Sequence, residues 1–328
     1  MYDERQLYDS IQHDFPLHPS PYQLVAGAHG LCEHDVLSLL ARDLGAGRIS
    51  RIGAVFAPNV IGASTLGALA VEPAQLDRVA ARVSACAAVS HNYARQGHRY
   101  NLWSVAGACD RIALDATLAA IAAKTELTPL DLPLEREYHI DLGFSLRGHA
   151  AHRRHRMTKT PPRQQLTNDD WRLVAALEAG LPLTPRPYHE LALRCRMPLD
   201  RLLDRLAQWS DSGVIRRLGV ILHHGGFGYT HNAMCVWDVP DGRADALGMR
   251  LARMPRVTLC YRRARRLPDW PYNLFAMIHA RDAQDLETAM QRFDEQAGLG
   301  QVPHAVLVGT RCYKQRGTRY ATQQPVHA

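Results

Sequence analysis

The sequence predicts an α+β chain of two tandem repeats, each a winged helix-turn-helix followed by a ferredoxin-like α/β sandwich. Three observations predict it. The chain repeats itself: residues 48–56 parallel 213–221, 89–93 parallel 257–261, 100–103 parallel 272–275, and 136–138 parallel 311–313. The offset drifts from 166 (Gly53 to Gly219) to 175 (Tyr138 to Tyr313), as small loop insertions after a duplication would produce. Each half opens with apolar residues at helical spacing. Each then alternates strand-like and helix-like segments.

The helical openings are Leu7, Ile11 and Phe15, then residues 32–44 with Val36, Leu37, Leu39, Leu40 and Leu44. The second half offers Trp171, Val174, Ala175 and Leu177, then residues 199–209 with Leu202, Leu203 and Leu206. Such i, i+3, i+4 patterns give short amphipathic helices, and Pro198 and Gly213 punctuate the last one. An apolar run follows at 49–57 and again at 214–222, so a three-helix unit is closed by a strand. Strands are then expected at 65–71, 88–94, 100–106 and 136–142, with helices at 75–86 and 114–125. The second half repeats this with strands at 231–239, 257–263, 272–279 and 306–313, and helices at 243–254 and 283–297. Strands and helices in this order read as a ferredoxin-like sandwich. The expected segments are a helix-turn-helix at 1–58, a sandwich at 59–148, a linker at 149–165, a second helix-turn-helix at 166–222 and a second sandwich at 223–328.

The chain has 328 residues, 46% hydrophobic and 22% charged, which suits a globular protein. No apolar run is long enough to span a bilayer, and the N-terminus lacks the pattern of a secretory signal. Seven scattered cysteines without a CxxC pair read as reduced thiols, so a cytoplasmic protein is expected. The net charge of +7 is segregated: −5 over residues 1–144, +6 over 145–168 and +6 over 169–328. The middle block contains no acid and a Pro-Pro, the composition of a solvated linker or of a basic arm. Residues 250–266 hold seven arginines, which suits a docking surface, a solvated face or a second site.

Period-two alternation places His91, Tyr93 and Arg95 on one face of a strand. A turn at Gln96-Gly97 would bring His98, Tyr100 and Asn101 back alongside. Two imidazoles, two phenols and a guanidinium would then converge on one end of a hairpin. A solvated polar face is the plainer reading. Arg48, Arg51, Arg216 and Arg217 stand at strand entries, where they serve either as helix-terminal charges or as carboxylate forks. His223, His224 and His231 flank a glycine-rich stretch that reads as a polar loop. No spacing typical of a zinc site and no nucleotide-binding glycine motif is present.

A helix-turn-helix before a ferredoxin-like domain resembles the Lrp/AsnC superfamily. HNYARQGHRYNLW (91–103), RLPDWPYNLF (266–275) and HGGFGYTHNAMCVWDVP (224–240) resemble its enzymatic branch, the siroheme decarboxylases of the fused NirDL type. The resemblance covers nearly the whole chain outside the linker. It implies removal of CO2 from the C12 and C18 acetates of siroheme, giving didecarboxysiroheme on the route to heme d1, or in other organisms to protoheme. It implies no cofactor beyond the iron that arrives in the substrate, NirG- and NirH-like partners, and an internal pseudo-dimer of the two halves.

That chemistry needs guanidinium forks for carboxylates, aromatic walls for the macrocycle and a proton donor for the carbon that loses CO2. His91 or His98 is the expected acid, with Tyr93 and Arg95 beside it, and either imidazole could instead contact the iron. Arg48, Arg51, Asn92, Tyr100, Asn101, Trp103, Arg216, Arg217, Tyr261, Arg263 and Trp270 are the expected substrate contacts. In the second half Leu259 stands where His91 does and Trp270 where His98 does, so either a structural role is expected there, with one main site in the first half, or each half handles one acetate with different residues. The rival readings are a DNA-binding regulator and a non-catalytic heme-binding module. The acidic residues of the candidate recognition helices (Glu33, Asp35, Asp43; Asp200, Asp204, Asp211) oppose DNA binding.

Overall fold

A computed structural model describes residues 3–140, 161–222 and 231–321. Most of the expected linker (149–160), His223, His224 and the glycine-rich stretch lie outside them. The chain divides into two compact units, residues 1–61 with 143–227, and residues 62–142 with 228–328.

The first unit is built from two helical trios. Helices α1 (Glu4–Ile11), α2 (Pro21–Ala28) and α3 (Glu33–Gly45) lead into strand β1 (Ile49–Phe56). Helices α6 (Asn168–Ala179), α7 (Pro187–Cys195) and α8 (Leu199–Asp211) lead into β6 (Ile215–Leu222). Local chemistry sets the starts. Asp3 caps α1, Thr167 and Asp170 form a capping box on α6, and Pro21 and Pro187 occupy the first turns of α2 and α7. Rather than folding back within its own half, β1 pairs antiparallel with β6, with Gly53 opposite Gly219. Gly219 lets α1 lie directly on the strand, since a Cβ there would strike the Gln12 carbonyl.

The second unit is a closed eight-stranded barrel. From the first half come β2 (Ala63–Leu69), α4 (Leu76–Ser84), β3 (Val89–Gln96), β4 (Leu102–Ala108), α5 (Arg111–Thr125) and β5 (Leu130–Ile140). From the second come β7 (His231–Trp237), α9 (Asp241–Leu251), β8 (Val257–Arg263), β9 (Leu274–Ala280), α10 (Ala283–Ala297) and β10 (His304–Gln315). The order round the barrel is β10-β3-β4-β2-β5-β8-β9-β7, so each four-stranded sheet closes on the other through β5–β8 and β10–β3. β5 starts six residues earlier than the sequence suggests. Pro133 sits where the strand leaves β2 and joins β8, a position that can spare an N–H.

Each sheet buries one face under its own helices. Val79, Val83, Leu102, Leu114 and Ile121 pack under α4 and α5, and Trp237, Leu247, Cys260, Ile278 and Phe293 under α9 and α10. A third cluster, with Trp103, Leu132, Met234, Trp270, Phe275 and Leu307, lies between the two sheets. All seven cysteines are free thiols.

Candidate functional site

The inner face of the barrel holds the chemistry. Along β3, His91 lies opposite Val105 and Tyr93 opposite Trp103, so both turn inward, whereas Asn92, opposite Ser104, turns to the helices. His91 stacks on Tyr93 with ring centroids 6.1 Å apart, and the Arg95 guanidinium lies 5.7 Å from the Tyr93 ring centre. Alternation therefore brings His91, Tyr93 and Arg95 together as a row.

Arg95 is 7% exposed. Its Nη1 donates to Asn232 Oδ1 at 3.1 Å and to the Leu307 carbonyl at 3.2 Å, and Nη2 approaches the Met277 sulfur at 3.8 Å. Its Nε–H meets no acceptor. Every partner is neutral, and no described carboxylate pairs with it. Burial in these surroundings drops its pKa to about 10. The second half builds the same thing. Arg263 lies 5.1 Å from the Tyr261 ring centre and donates to the Leu132 carbonyl at 2.8 Å, and its Nε–H also meets no acceptor. Its pKa too falls to about 10 through burial. Leu132 and Leu307 occupy the same place in the repeat, so the two arginines are hung in one way from the two halves. Burial raises the Tyr93 and Tyr261 phenols, keeping both protonated.

His98 does not join His91. It lies past the turn, while His91 is four residues before Arg95, which separates them by roughly 13 Å or more along the strand. Its ring stacks on Tyr100 and meets the edges of Trp270 and Tyr272, at centroid distances of 5.8, 5.0 and 6.1 Å. With Trp103, 5.0 Å from Trp270, these rings make an aromatic wall at one end of the barrel interior. The Tyr100 backbone N–H donates to His98 Nδ1 at 3.1 Å, so the neutral ring carries its proton on Nε2. Burial, helped by Arg99, lowers its pKa and keeps it neutral near pH 7. The Trp103 indole N–H is taken by the Tyr100 carbonyl, whereas that of Trp270 meets no acceptor.

Three expected substrate contacts are corrected by the geometry. The Asn92 amide donates to the Ala80 carbonyl and to Ser84 Oγ, both at 3.0 Å, and so ties β3 to α4. Asn101 brackets Val71, accepting its N–H and donating to its carbonyl, and Asn273 does the same to Val239. The repeated Tyr-Asn-Leu motif thus carries a structural clamp. Arg48 is bound to Glu4 at 2.7 Å and faces Asp43 at 3.5 Å, inside a network completed by Tyr8 and Arg42.

Arg48, Arg51, Arg216 and Arg217 all belong to the helical unit. Arg51 and Arg217 are repeat equivalents that donate to the carbonyl three residues on, Ala54 at 3.1 Å and Val220 at 3.2 Å. Arg216 is part-buried. Arg51 lines a cleft of about 120 Å³ with Leu40, Leu44, Ile52, Gly180 and Leu183.

Sequence reasoning missed two inward residues on the second half's strands. Asn232 holds Arg95, and His279, directly opposite it in the β7–β9 register, contacts Thr258 Oγ1 through Nδ1 at 3.0 Å. The signal was the pair of hydroxyls, Ser90 and Thr258, at one position of the repeat. No cluster of described residues could hold a metal ion.

Comparison with known proteins agrees with this architecture. A model of the AsnC-like ligand binding domain matches residues 61–139 and 226–314, and one of the siroheme decarboxylase NirDL-like HTH domain matches 4–49 and 170–216. The siroheme decarboxylase NirDL subunit of Paracoccus denitrificans is 40% identical over 96% of each chain. The siroheme decarboxylase NirH subunit of Pseudomonas aeruginosa is 39% identical over 47% of this chain and 90% of its own. The crystal structure of the siroheme decarboxylase NirDL in complex with an iron-uroporphyrin III analogue superposes with a TM-score of 0.70 at 26% identity, covering 96% of this chain and 93% of that one. The same repeated pairing of helix-turn-helix and AsnC-like domain, read first from the sequence and then found in the fold, places this chain in the siroheme decarboxylase NirDL family.

Proposed function

We propose that this protein removes CO2 from the C12 and C18 acetate groups of siroheme to give didecarboxysiroheme, in heme d1 biosynthesis. One observation carries the proposal: Arg95, buried, and Arg263, half-buried, share one barrel interior with neutral partners alone among the described residues. A buried charge without a counter-ion is costly, and a polyanionic substrate supplies the missing carboxylates. The guanidinium fork matches a carboxylate, and the buried rings of Trp103, Tyr100 and Trp270 are the proposed apolar contacts of the macrocycle.

In this reading Arg95 and Arg263 bind carboxylates of the substrate, with Tyr93 and Tyr261 beside them as hydrogen-bond donors. Breaking the bond to CO2 leaves an electron pair on the methylene carbon, spread into the macrocycle. His91 as imidazolium gives that carbon its proton and is recharged from water. His98, neutral and protonated on Nε2, is suited to donate a hydrogen bond. It would contact the substrate iron only after giving up its bond to Tyr100. Neither step calls on a cofactor beyond the iron of the substrate.

The strand pairing that closes the barrel supports an internal pseudo-dimer in place of a heterodimer. Segments 1–58, 59–148, 149–165, 166–222 and 223–328 are the proposed domains. NirG- and NirH-like proteins are the proposed partners and the cytoplasm the proposed compartment. No helix among the described residues is long and apolar enough to cross a membrane.

The helix-turn-helix units are poorly equipped for DNA. On α3, Arg42 is held by Asp43 and Glu4, and on α8, Arg201 and Arg205 are held by Asp169 and Asp170. Anaerobic incubation with siroheme and mass detection tests the proposal. Loss of two CO2 per siroheme is expected, and an unchanged siroheme mass would overturn it.

A further inference from the structure

Past β10 the chain turns into the barrel. Gln315, the last residue of β10, lies opposite His91, and the Arg316 backbone N–H donates to the Ser90 carbonyl at 2.9 Å. The chain then leaves β3 and runs across the sheet. Thr318 Oγ1 reaches Ser90 Oγ at 3.4 Å. The Thr318 methyl sits over Gly107 of β4, and the Tyr320 ring over Gly107 and over Gly62, the residue before β2. Residues 316–321 therefore cross β3, β4 and β2 in turn, next to His91. They cross on the inner face, because Gly107 follows Trp103 and Val105 at period two along β4 and Trp103 belongs to the cluster between the sheets.

Two glycines make the seat. A Cβ at Gly107 would lie 2.3 Å from Thr318 Cγ2, and one at Gly62 would lie 2.4 Å from Tyr320 Cδ1. A side chain at either position would push the crossing segment away. On this seat Tyr320 is buried. The start of the crossing is moored to the helix layer. Lys314 Nζ donates to the Ser84 and Cys86 carbonyls at 2.6 and 2.8 Å, and Arg316 Nη2 to the Ala87 carbonyl. These carbonyls end and follow α4, where a cation is favoured. The second half fills the same place differently. The repeat equivalent of Gly107 is His279, which turns its own side chain inward.

We propose that residues 316–321 are a strap that forms the end wall of the siroheme site beside His91, with Thr318 and Tyr320 as positioning residues. This rests on the siroheme reading above. The macrocycle is rigid and flat, so a fixed wall at one end sets how far it slides between the sheets and where its acetates stand. The strap belongs to the second half and covers the first. The first half's site is therefore complete only with residues that the second half supplies.

The test compares single-turnover decarboxylation by the full chain at saturating siroheme, under anaerobic conditions, with urea midpoints measured alongside. Gly107→Ala strikes the strap alone, since the nearest atom outside it, the Ala63 carbonyl oxygen, stands at an ordinary 3.6 Å. It is expected to slow the reaction about 10- to 100-fold, the scale of a misplacement of about 1 Å. Thr318→Ser removes the methyl that is struck and keeps the hydroxyl beside Ser90. Gly107→Ala combined with Thr318→Ser is therefore expected to recover to within about three-fold of the parent rate. Tyr320→Ala is expected to slow the reaction as Gly107→Ala does, and adding Gly107→Ala to it should change little. A Gly107→Ala rate within about two-fold of the parent would overturn the proposal, whatever happens to the urea midpoint. So would a slow Gly107→Ala protein that Thr318→Ser does not recover, or effects of Gly107→Ala and Tyr320→Ala that multiply. Should one of these two variants fail to fold, the rate of the other decides. A parent protein that releases no CO2 refutes the underlying siroheme reading instead, and thereby removes this proposal with it.

Discussion

Replacing Arg95 by methionine separates a binding role from a structural one, because the two roles predict opposite signs. Burial lowers the pKa of the guanidinium to about 10, which corresponds to about 3 kcal/mol of penalty on the charged form in the folded protein. Methionine has a similar length and no charge, so Arg95→Met removes that penalty. It also strands the Leu307 carbonyl and Asn232 Oδ1, at about 1 kcal/mol each. The balance is a ligand-free protein about 1 kcal/mol more stable, a rise of roughly 2–4 °C in Tm for a domain of this size. Siroheme binding should move the other way. Losing a charge-assisted bond to a carboxylate costs about 1.5–3 kcal/mol, or roughly 10- to 150-fold in Kd. Urea unfolding without ligand and a spectroscopic siroheme titration measure the two terms. An Arg95→Met variant destabilised by more than about 2 kcal/mol, or one that binds siroheme as tightly as the parent, would refute the argument that this charge awaits a substrate carboxylate.

Other substitutions address the structural residues. Asp170 accepts a two-pronged bond from Arg205, at 2.8 Å on each oxygen; burial raises its pKa, but Arg205 and Thr167 more than offset this and hold it below the usual carboxylate value. Its contribution is complete above about pH 4, the unfolded value, and is lost as pH falls through the lower folded value. Urea midpoints of the parent should drop across that window, while Asp170→Asn should start lower and flatten the drop. Asn101→Ala leaves both polar groups of Val71 without their partner, so a loss of about 2–4 kcal/mol is expected by chemical denaturation, with siroheme affinity unchanged. Arg48→Gln should cost about 1 kcal/mol of stability through Glu4 and Asp43 and leave KM for siroheme unaltered.

What the sequence revealed follows from how local each signal is. Helices α1, α3, α6 and α8 carry their own apolar period, and their positions could be read directly. The middle helix of each trio is short and announced by little more than Pro21 or Pro187. The row of His91, Tyr93 and Arg95 was legible because period-two alternation is a property of one strand. The convergence of His98 with His91 failed because it assumed a shorter arm on the hairpin than β3 provides. Asn101 looked like a ligand contact because a polar residue beside aromatics invites that reading, and only the fold shows Val71 filling both ends of its amide. His279 was hidden for a different reason. Aligning the repeats compares residues one by one, and it marks Leu259 as a lost histidine. It does not show that an imidazole from the next strand reaches the same hydroxyl.

The arginine-dense stretch at 250–266 shows why burial without a partner is the informative observation. Arg256 pairs with Asp285, Arg262 with Glu135 and Asp245, Arg265 with Asp238 and Asp241, and Arg266 with Asp131. These sit at the surface, where a nearby carboxylate costs little to recruit and adds little stability. Arg263, in the same stretch and of the same residue type, turns inward and finds a carbonyl and two rings. Stability alone favours a leucine or methionine at such a position, as it does at Arg95. The surface ion pairs would be the same in a protein with any function. The inward charges are what the proposed function accounts for, since an anionic substrate would supply the carboxylates they lack.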